Sequence, residues 1–379
     1  MKNLGLYLNL LTFKISTGIF IFQEGNDFKK DIKFIQNDCY IFISDADEIK
    51  VYQSHIEHLY NERLLFSVKI NNNEFKLCNP FSKNILLKPT INNINIIKNK
   101  LWYVVNPLPK KNGNKVIGEN EEFFLNEGDI FKIGSEIYFL TKINIKNYKK
   151  NNNIELLNFE RKWIFETCSQ TKILDKCQLC KHIIDELKEG KDLKNIHKIN
   201  IIPTKNENVS TYKITLKICK ICKKFFYPLR YKLTENSEIK ELIHIEEPDD
   251  NKNYIRIESL EKMTEPYQKF IYIVKLTGED EVFTFDSHGG DIPIYPNSIY
   301  KQLEKLYESA IKYNKREGKL SLENIGEKTG TMILIQNNYF NIPEKKEIYL
   351  QSGGTFFKAE IIDKEEYEKI EKEENNPEK

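Results

Sequence analysis

Short runs of alternating apolar and polar residues, separated by turn-forming residues, occupy positions 1–145 of the chain. Alternation places successive side chains on opposite faces of a β-strand. Many short strands at this spacing predict an antiparallel β-sandwich rather than a βαβ fold. The strands predicted in this region are Phe13–Phe22, Cys39–Ser44, Leu64–Ile70, Ile85–Pro89, Leu101–Val105, Asp129–Ile133 and Ile137–Leu140.

The same alternation resumes at Tyr254 and predicts a second sandwich over residues 254–362. Helical spacing at Leu303–Tyr313 predicts one interruption of this sheet. The Glu-rich residues 363–379 form a charged tail, which we expect to be either a frayed helix or disordered. The predicted strands are Tyr254–Glu258, Phe270–Leu276, Val282–Phe285, Asp291–Ile294, Lys319–Leu322, Thr331–Ile335, Glu347–Leu350 and Thr355–Ile362.

Charge and hydropathy limit the classes of partner. Lys and Arg number 58 and Asp and Glu number 56, so the net charge of +2 gives no reason to expect nucleic acid as a partner. The apolar start, Leu4–Leu11, raises the question of a signal peptide, but the alternation that follows it favours a strand. No apolar run reaches the roughly 18 residues of a membrane-spanning helix, so we expect no membrane association.

Two Cys-x-x-Cys pairs lie between the predicted sandwiches, at Cys177/Cys180 and Cys219/Cys222. Each pair offers two thiolates from one tight turn, as a tetrahedral Zn²⁺ site requires. Residues 160–235 therefore form a predicted zinc module, with a helix at His182–Lys188 and a strand at Tyr212–Ile218. Paired thiols of this kind suit a reducing compartment, so we expect an intracellular protein. Thiols packed as small hydrophobic groups without zinc are the alternative.

Two motifs of the second sandwich resemble the forkhead-associated (FHA) family. The stretch Leu320–Thr331 is similar to its late Ser-Lys-x-Gly-Thr element, and Asp291–Ile294 is similar to its Asp-hydrophobic-x-hydrophobic strand. Leu350–Thr355 is similar to its closing glycine turn. The resemblance implies an eleven-strand β-sandwich over about Tyr254–Ile362, which would bind phosphothreonine peptides through loops at one end.

The chain departs from the FHA pattern at the positions that face the phosphate. The family's Gly-Arg pair falls near Asp286-Ser287, and Lys301 follows Ser298 where the family has a His. A phosphate needs charge-assisted donors, ideally an Arg fork. Lys301, Lys328 and the Gly289-Gly290 turn are the remaining candidates. These departures favour a sandwich that has lost phosphothreonine binding.

The cysteine-rich segment resembles a degenerate RING-variant zinc finger, a family whose ligands run as four cysteines, one histidine and three cysteines. Five positions match, and the resemblance implies that they are metal ligands. The middle Cys-x-Cys pair is missing, and Asn200 replaces the cysteine that follows the histidine. One rearranged site is more plausible than two half-filled ones, with Cys168 or His182 as a substitute ligand. The matching positions are Cys177, Cys180, His197, Cys219 and Cys222.

The N-terminal half resembles the region that precedes such a finger in the same architecture. Trp102–Pro107 and Glu127–Gly134 carry this resemblance. They suggest that the first sandwich is also FHA-like, with its Gly-x-Arg position changed to Gly134-Ser135-Glu136. The sequence as a whole therefore predicts a mainly β protein in which two antiparallel β-sandwich domains are joined by a small zinc-finger-like α+β module.

Three functions are compatible with these patterns. The first is a non-enzymatic scaffold that presents loops and sheet edges to a protein partner, and the absence of a catalytic motif from the sequence favours it. The second is a ubiquitin ligase of the RING-variant type, which would make the protein an enzyme. The third is a reader of phosphothreonine peptides.

The predicted zinc site is tested by the metal content of the purified chain. We expect about one Zn²⁺ per chain, because the two Cys-x-x-Cys pairs supply the four thiolates of one tetrahedral site. Elemental analysis after extensive dialysis measures it. Two ions would indicate a full finger with further ligands, and a metal-free chain would contradict the prediction.

Overall fold

The structure is a computed structural model that describes most of the predicted β regions. The described residues are 4–11, 14–16, 19–21, 32–44, 49–53, 62–71, 74–78, 101–105, 123–134, 136–148, 198–216, 230–231, 240–241, 245–259, 268–286, 289–294, 309–325, 331–335, 339–342, 347–352 and 355–374. They are mainly β, with large antiparallel sheets and one helix. The predicted fold class is confirmed at this level.

The first part of the chain contributes twelve of the described strands. They are β1 (Leu4–Leu11), β2 (Lys14–Ser16), β3 (Ile19–Ile21), β4 (Ile32–Ile35), β5 (Cys39–Ser44), β6 (Ile49–Tyr52), β7 (Glu62–Asn71), β8 (Glu74–Cys78), β9 (Leu101–Val104), β10 (Phe123–Phe124), β11 (Ile130–Ile133) and β12 (Glu136–Asn144). We call residues 4–144 the first repeat.

Four further strands precede a second series, residues 254–363, which we call the second repeat. The four are β13 (Lys198–Ile202), β14 (Val209–Thr215), β15 (Arg230–Tyr231) and β16 (Lys240–Glu241). The second repeat and the helix after it comprise β17 (Tyr254–Ser259), β18 (Gln268–Lys275), β19 (Asp280–Asp286), β20 (Ile292–Pro293), β21 (Ser309–Asn314), β22 (Lys319–Asn324), β23 (Thr331–Leu334), β24 (Tyr339–Asn341), β25 (Ile348–Ser352), β26 (Thr355–Asp363) and α1 (Lys364–Glu374).

Three large sheets hold most of these strands. A twelve-stranded sheet has the order β13-β14-β18-β17-β12-β11-β23-β9-β25-β26-β1-β4. The two five-stranded sheets have the orders β10-β22-β21-β19-β20 and β24-β8-β7-β5-β6. Each sheet combines strands from both repeats. Residues 1–145 and 254–362, predicted as separate domains, therefore share sheets.

The pairing pattern has a local twofold relation centred on β9 and β23. Tyr103 pairs with Ile333 at the centre, Leu350 pairs with Tyr103 on one side, and Phe131 pairs with Ile333 on the other. The relation continues outward, because β26 lies between β25 and β1 as β12 lies between β11 and β17. The last three strands of each repeat therefore pair with strands of the other repeat: β10, β11 and β12 pair with β22, β23 and β17, and β24, β25 and β26 pair with β8, β9 and β1. We call this arrangement the strand exchange.

Two hydrophobic cores lie on the same face of the twelve-stranded sheet. We call the part of the molecule around the sheet containing β19–β22 the C lobe, and the part around the sheet containing β5–β8 the N lobe. The C-lobe core lies between the large sheet and the sheet containing β19–β22 and includes Tyr272, Phe285 and Ile311. The N-lobe core lies between the large sheet and the sheet containing β5–β8 and includes Phe66 and Phe357. Both cores form because apolar side chains recur at every second position of the strands that line them, so that one face of each strand is buried.

Tyr103 lies where the two cores meet. Its ring packs against both clusters, with its centroid 5.8 Å from that of Phe123 and 6.3 Å from that of Phe340. Phe123 belongs to the first repeat but lies in the C lobe, and Phe340 belongs to the second repeat but lies in the N lobe. The two lobes therefore share one continuous apolar interior.

The central strands are buried on both faces. Trp102 and Val104 belong to a third cluster on the opposite face of the large sheet, together with Met332 and Leu334. Burial of both faces explains why Leu101–Val105 and Met332–Ile335 are continuous apolar runs rather than alternating ones.

Most of the predicted strands agree with the structure to within a few residues. Cys39–Ser44 is a strand over those residues, and the strand prediction for Leu4–Leu11 is confirmed. Tyr212–Ile218 corresponds to β14, which ends earlier, at Thr215. Within the predicted strand Phe13–Phe22, the described residues Lys14–Ser16 and Ile19–Ile21 are two short paired strands. The predicted strand Ile85–Pro89 and the predicted helix His182–Lys188 lie outside the described residues.

The predicted helix at Leu303–Tyr313 is wrong over its described part. Ser309–Asn314 is β21, which pairs with β19 on one side and with β22 on the other. Ala310 and Ile311 are both fully buried although they face opposite sides of the sheet. Burial of both faces removes the alternation that marks a strand, and the remaining apolar spacing imitates a helix.

The charged tail contains the described helix, α1. Asp363 caps it, since its Oδ1 accepts a hydrogen bond from the backbone N–H of Glu366 at 2.9 Å. Tyr367 stacks on Phe34 of β4 with ring centroids 4.7 Å apart. Of the two expectations for this segment, the helix is confirmed for Lys364–Glu374.

Replacing Tyr103 with alanine tests the junction of the two cores. We expect Tyr103→Ala to lower the free energy of unfolding by about 2–4 kcal/mol, because it removes ring packing from both lobes at once. Chemical denaturation measures the change. Tyr52→Ala is the control, since Tyr52 lies on the edge strand β6 and contacts the ring of Phe42. An equal or larger loss for Tyr52→Ala would contradict the central role of Tyr103.

Candidate functional site

Gly289, Gly290 and Asp291 precede β20 at one end of the C lobe, beside the end of β19. The two strands are parallel, and the N–H of Ile294 donates to the carbonyl of Asp286 at 3.0 Å. Gly290 lies so close to the backbone that a Cβ would be 2.7 Å from both the nitrogen of Asp286 and the carbonyl oxygen of Thr284. Gly289 has a φ of +135°, which favours glycine. We call Gly289–Asp291 the glycine turn.

The Asp291 carboxylate fixes this turn. Its Oδ2 accepts hydrogen bonds from the backbone N–H of Thr284 at 2.9 Å and from the Thr284 hydroxyl at 3.0 Å. Its Oδ1 accepts one from the side-chain amide of Asn206 at 3.0 Å. Partial burial opposes ionisation of Asp291, but the hydrogen bonds from Thr284 and Asn206 outweigh it, so the pKa of Asp291 is lowered.

The tip of the β13–β14 hairpin lies beside the glycine turn. We call residues 203–208 the hairpin tip. The Lys205 ammonium donates to the carbonyl of Gly289 at 3.2 Å, next to the bond between Asn206 and Asp291. The tip is itself ordered by hydrogen bonds, including one of 2.9 Å from the N–H of Asn208 to the side chain of Asn206. Glycine turn and hairpin tip together form the candidate site.

The hairpin extends the large sheet of the C lobe. β14 pairs along its whole length with β18, from Val209 opposite Val274 to Thr215 opposite Gln268. Val209 belongs to the C-lobe core. Residues 198–216, predicted as part of the zinc module, therefore form an integral edge of this lobe.

The five predicted metal ligands, Cys177, Cys180, His197, Cys219 and Cys222, lie outside the described residues. Their neighbours in the chain are described. Lys198, which follows His197, pairs with Thr215, and Leu216 lies three positions before Cys219. Ile199, Leu216 and Ile245 join one apolar cluster on the outer face of the sheet. Within the described ranges, no group of three or more His, Cys, Asp or Glu side chains is arranged to hold a metal ion.

A row of alternating charges fixes the chain where it returns from the cysteine-rich segment. Glu247 accepts from Lys142 at 2.7 Å and from Arg256 at 2.9 Å. Arg256 also contacts Glu258 at 3.1 Å, and Glu258 contacts Lys269 at 3.0 Å. Burial disfavours the charge on Glu247, but the bonds from Lys142 and Arg256 prevail and lower its pKa. Arg256, Glu258 and Lys269 of this row are buried, so loss of one of them would leave an uncompensated buried charge.

The two described cysteines are not metal-ligand candidates. Cys39 is buried in the N-lobe core, and burial, together with the charge of Asp38, raises its thiol pKa to about 12. Burial also raises the pKa of Cys78. Such thiols are poor nucleophiles near neutral pH.

The structure describes only part of the phosphate-facing positions predicted from the FHA resemblance. Asp286 and the Gly289-Gly290 pair are described, whereas Ser298, Lys301 and Lys328 lie outside the described residues. Sequence reasoning did not identify Lys205 and Asn206 as part of this end of the lobe. Residues 203–208 are a polar stretch between two segments of alternating apolar residues, which indicates a turn. Nothing in this stretch indicates contact with residues more than 80 positions away.

Comparison of the chain with protein-family models gave no match, and neither did comparison with curated protein sequences or with solved structures. Among the described residues, α1 is the one helix, and no helix has the length and apolar character needed to cross a membrane.

The hydrogen bonds of Asp291 predict an acid-sensitive contribution to stability. Because the pKa of Asp291 is lowered by folding, its contribution is complete above the ordinary value of 3.8 and is lost as pH falls through the lower, folded value. We expect Asp291→Asn to cost about 1–2 kcal/mol at pH 7 and to weaken the dependence of stability on pH below about pH 4. Urea unfolding across this range measures both effects.

Asp280→Asn is the matched control, since Asp280 lies exposed at the start of the same strand, β19. We expect it to change stability at pH 7 by less than about 0.5 kcal/mol. Equal behaviour of the two variants would show that the bonds to Asp291 do not hold the glycine turn.

Proposed function

We propose that the chain is a non-enzymatic scaffold or recognition protein, which presents the loop end of its C lobe to a protein partner. The observation that carries this proposal is the glycine turn, fixed by Asp291 and bordered by the hairpin tip. Binding residues are commonly placed on loops that a rigid framework positions. Such a framework is formed here by β18, which pairs with β14 of the hairpin, and by β19, which pairs with β21 in the facing sheet.

The two facing sheets support a sandwich description of the C lobe. Eight neighbouring strands of the large sheet, from β13 to β9, lie against the five strands of the sheet containing β19–β22. Together they number thirteen, two more than the FHA resemblance implies, because β13 and β14 extend the edge of the large sheet. They come from residues 101–144, 198–215 and 254–334, rather than from the single stretch Tyr254–Ile362 on which the resemblance was based.

A phosphothreonine peptide is the second candidate partner. Lys205 favours it, because its ammonium lies at the glycine turn, near Asp286, where this chain lacks the arginine of the FHA pattern. A lysine supplies charge without the bidentate geometry of an arginine, so we expect weaker and less specific phosphate binding than an arginine would give. The ligands required for ubiquitin ligase activity lie outside the described residues, and that function remains an alternative prediction.

Peptide binding to the full chain tests both candidates. A phosphothreonine peptide library and its dephosphorylated copy are titrated against the protein and against Lys205→Ala. We expect binding at the loop end, and for a phosphopeptide reader we expect Lys205→Ala to weaken it at least about tenfold, the effect of losing about 1.4 kcal/mol. Lys198→Ala is the control, because Lys198 is exposed at the opposite end of the same hairpin.

The two arms separate the functions. Binding that requires the phosphate and Lys205 would support the phosphopeptide reader. Phosphate-independent binding that Asp291→Ala abolishes would support the general scaffold. Binding that neither Lys205→Ala nor Asp291→Ala changes would refute the loop end as the recognition surface.

A further inference from the structure

The strand exchange makes each lobe depend on both repeats. All eight residues of β1 pair with β26, and β17 pairs with β12 from Ser259 opposite Tyr138 to Tyr254 opposite Asn144. β24 of the second repeat pairs with β8, and β10 of the first repeat pairs with β22. In each of these strand pairs, one strand belongs to the first repeat and the other to the second.

Without its exchanged strands, the C lobe would lose part of its core and gain an open edge. Phe131 and Tyr138 of the first repeat each contact Phe285, with ring centroids 5.8 Å and 5.4 Å apart. Removing β11 and β12 would expose these contacts and leave the hydrogen-bonding groups of β17 unpaired on one side. The N lobe depends in the same way on Phe357, whose ring lies 4.9 Å from that of Phe66.

The connection between the repeats begins and ends at neighbouring positions. It leaves β12 after Asn144 and enters β17 at Tyr254, and these two residues are paired. The side-chain amide of Asn144 donates to the carbonyls of Asp250 and Lys252 at 3.1 Å and 2.7 Å. Both ends of the connection are therefore fixed to neighbouring strands of one sheet, within the C lobe.

From these observations we infer that the two repeats are an obligate strand-exchanged pair, in which the covalent connection through residues 149–197 is not needed to hold them together. A chain cut there remains one folded particle, and its two pieces separate only when both lobes unfold. Each of the two pieces therefore has the other repeat as its binding partner. The same principle operates between identical chains that exchange elements in domain-swapped dimers.

A consequence is that the cysteine-rich segment is free to change its covalent or metal-bound state without releasing either lobe. The β13–β14 hairpin stays with the second repeat through its pairing with β18, and Ile245 remains attached on the outer face of the sheet. This inference rests on the strand registers and does not require the proposed function.

The test is a cut in the full-length protein. A protease recognition sequence is inserted between Asn152 and Asn153, and the cleaved protein is examined by native mass spectrometry and size-exclusion chromatography. We expect one particle with the mass of the intact chain, and two pieces under denaturing conditions. The uncut insertion variant, which must show the β signature of the unmodified protein by circular dichroism, is the control.

Thermal unfolding gives a second reading of the same samples. Because unfolding of the cut protein releases two pieces, its midpoint should rise with protein concentration, whereas the midpoint of the uncut protein should not. Two separate folded particles, or a midpoint that is independent of concentration in the cut protein, would overturn the inference.

An engineered disulfide tests the exchange without a cut. Tyr339 pairs with Cys78, and antiparallel partners have Cα atoms about 4.5–5.5 Å apart, within disulfide range. With oxidised glutathione as the oxidant, at alkaline pH because burial raises the pKa of the Cys78 thiol, we expect Tyr339→Cys to form a disulfide with Cys78 and to link the two pieces after cleavage. Phe124→Cys combined with Lys76→Cys is the matched variant, because Phe124 of β10 corresponds to Asn341 of β24, which pairs with Lys76. A disulfide between Phe124→Cys and Lys76→Cys, and none from Tyr339→Cys, would contradict the exchange.

Discussion

The pairing of β9 with β23 is the interaction on which the rest of the architecture depends. The N–H of Val105 donates to the carbonyl of Thr331 at 2.9 Å, and the N–H of Ile335 donates to the carbonyl of Leu101 at 3.0 Å. These bonds join the sheets of the two lobes into one. Tyr103 packs against both cores at this point, so an apolar interior and a hydrogen-bonded sheet are continuous across the same boundary.

The exchange and the candidate site are connected through the edge of the C lobe. β12 comes from the first repeat and holds β17, β17 holds β18, and β18 holds the hairpin whose tip lies at the glycine turn. The row of charges from Lys142 to Lys269 crosses these same strands on the outer face. The loop end is therefore a composite of both repeats and of the segment between them.

Strand positions were largely readable from the sequence, and the failures have physical causes. Cys39–Ser44 was correct because its neighbours are turn residues that limit it on both sides. The sequence predicts a helix at Ser309–Asn314 instead of a strand, because burial of both faces removes the two-residue alternation of apolar and polar side chains. The contact between Asn206 and Asp291 could not be anticipated, since a polar side chain does not specify its partner across 85 positions.

The sequence by itself determined that the chain is mainly β and where most strands begin and end, because alternation and turn residues act over a few positions. Only the tertiary structure decided which strands are neighbours. The alternation of β26 does not specify the strand with which it pairs, since an apolar strand face does not identify its partner. The choice of β1 over β17 comes from the packing of Phe357 and its neighbours against the N lobe, a cooperative property of the whole core.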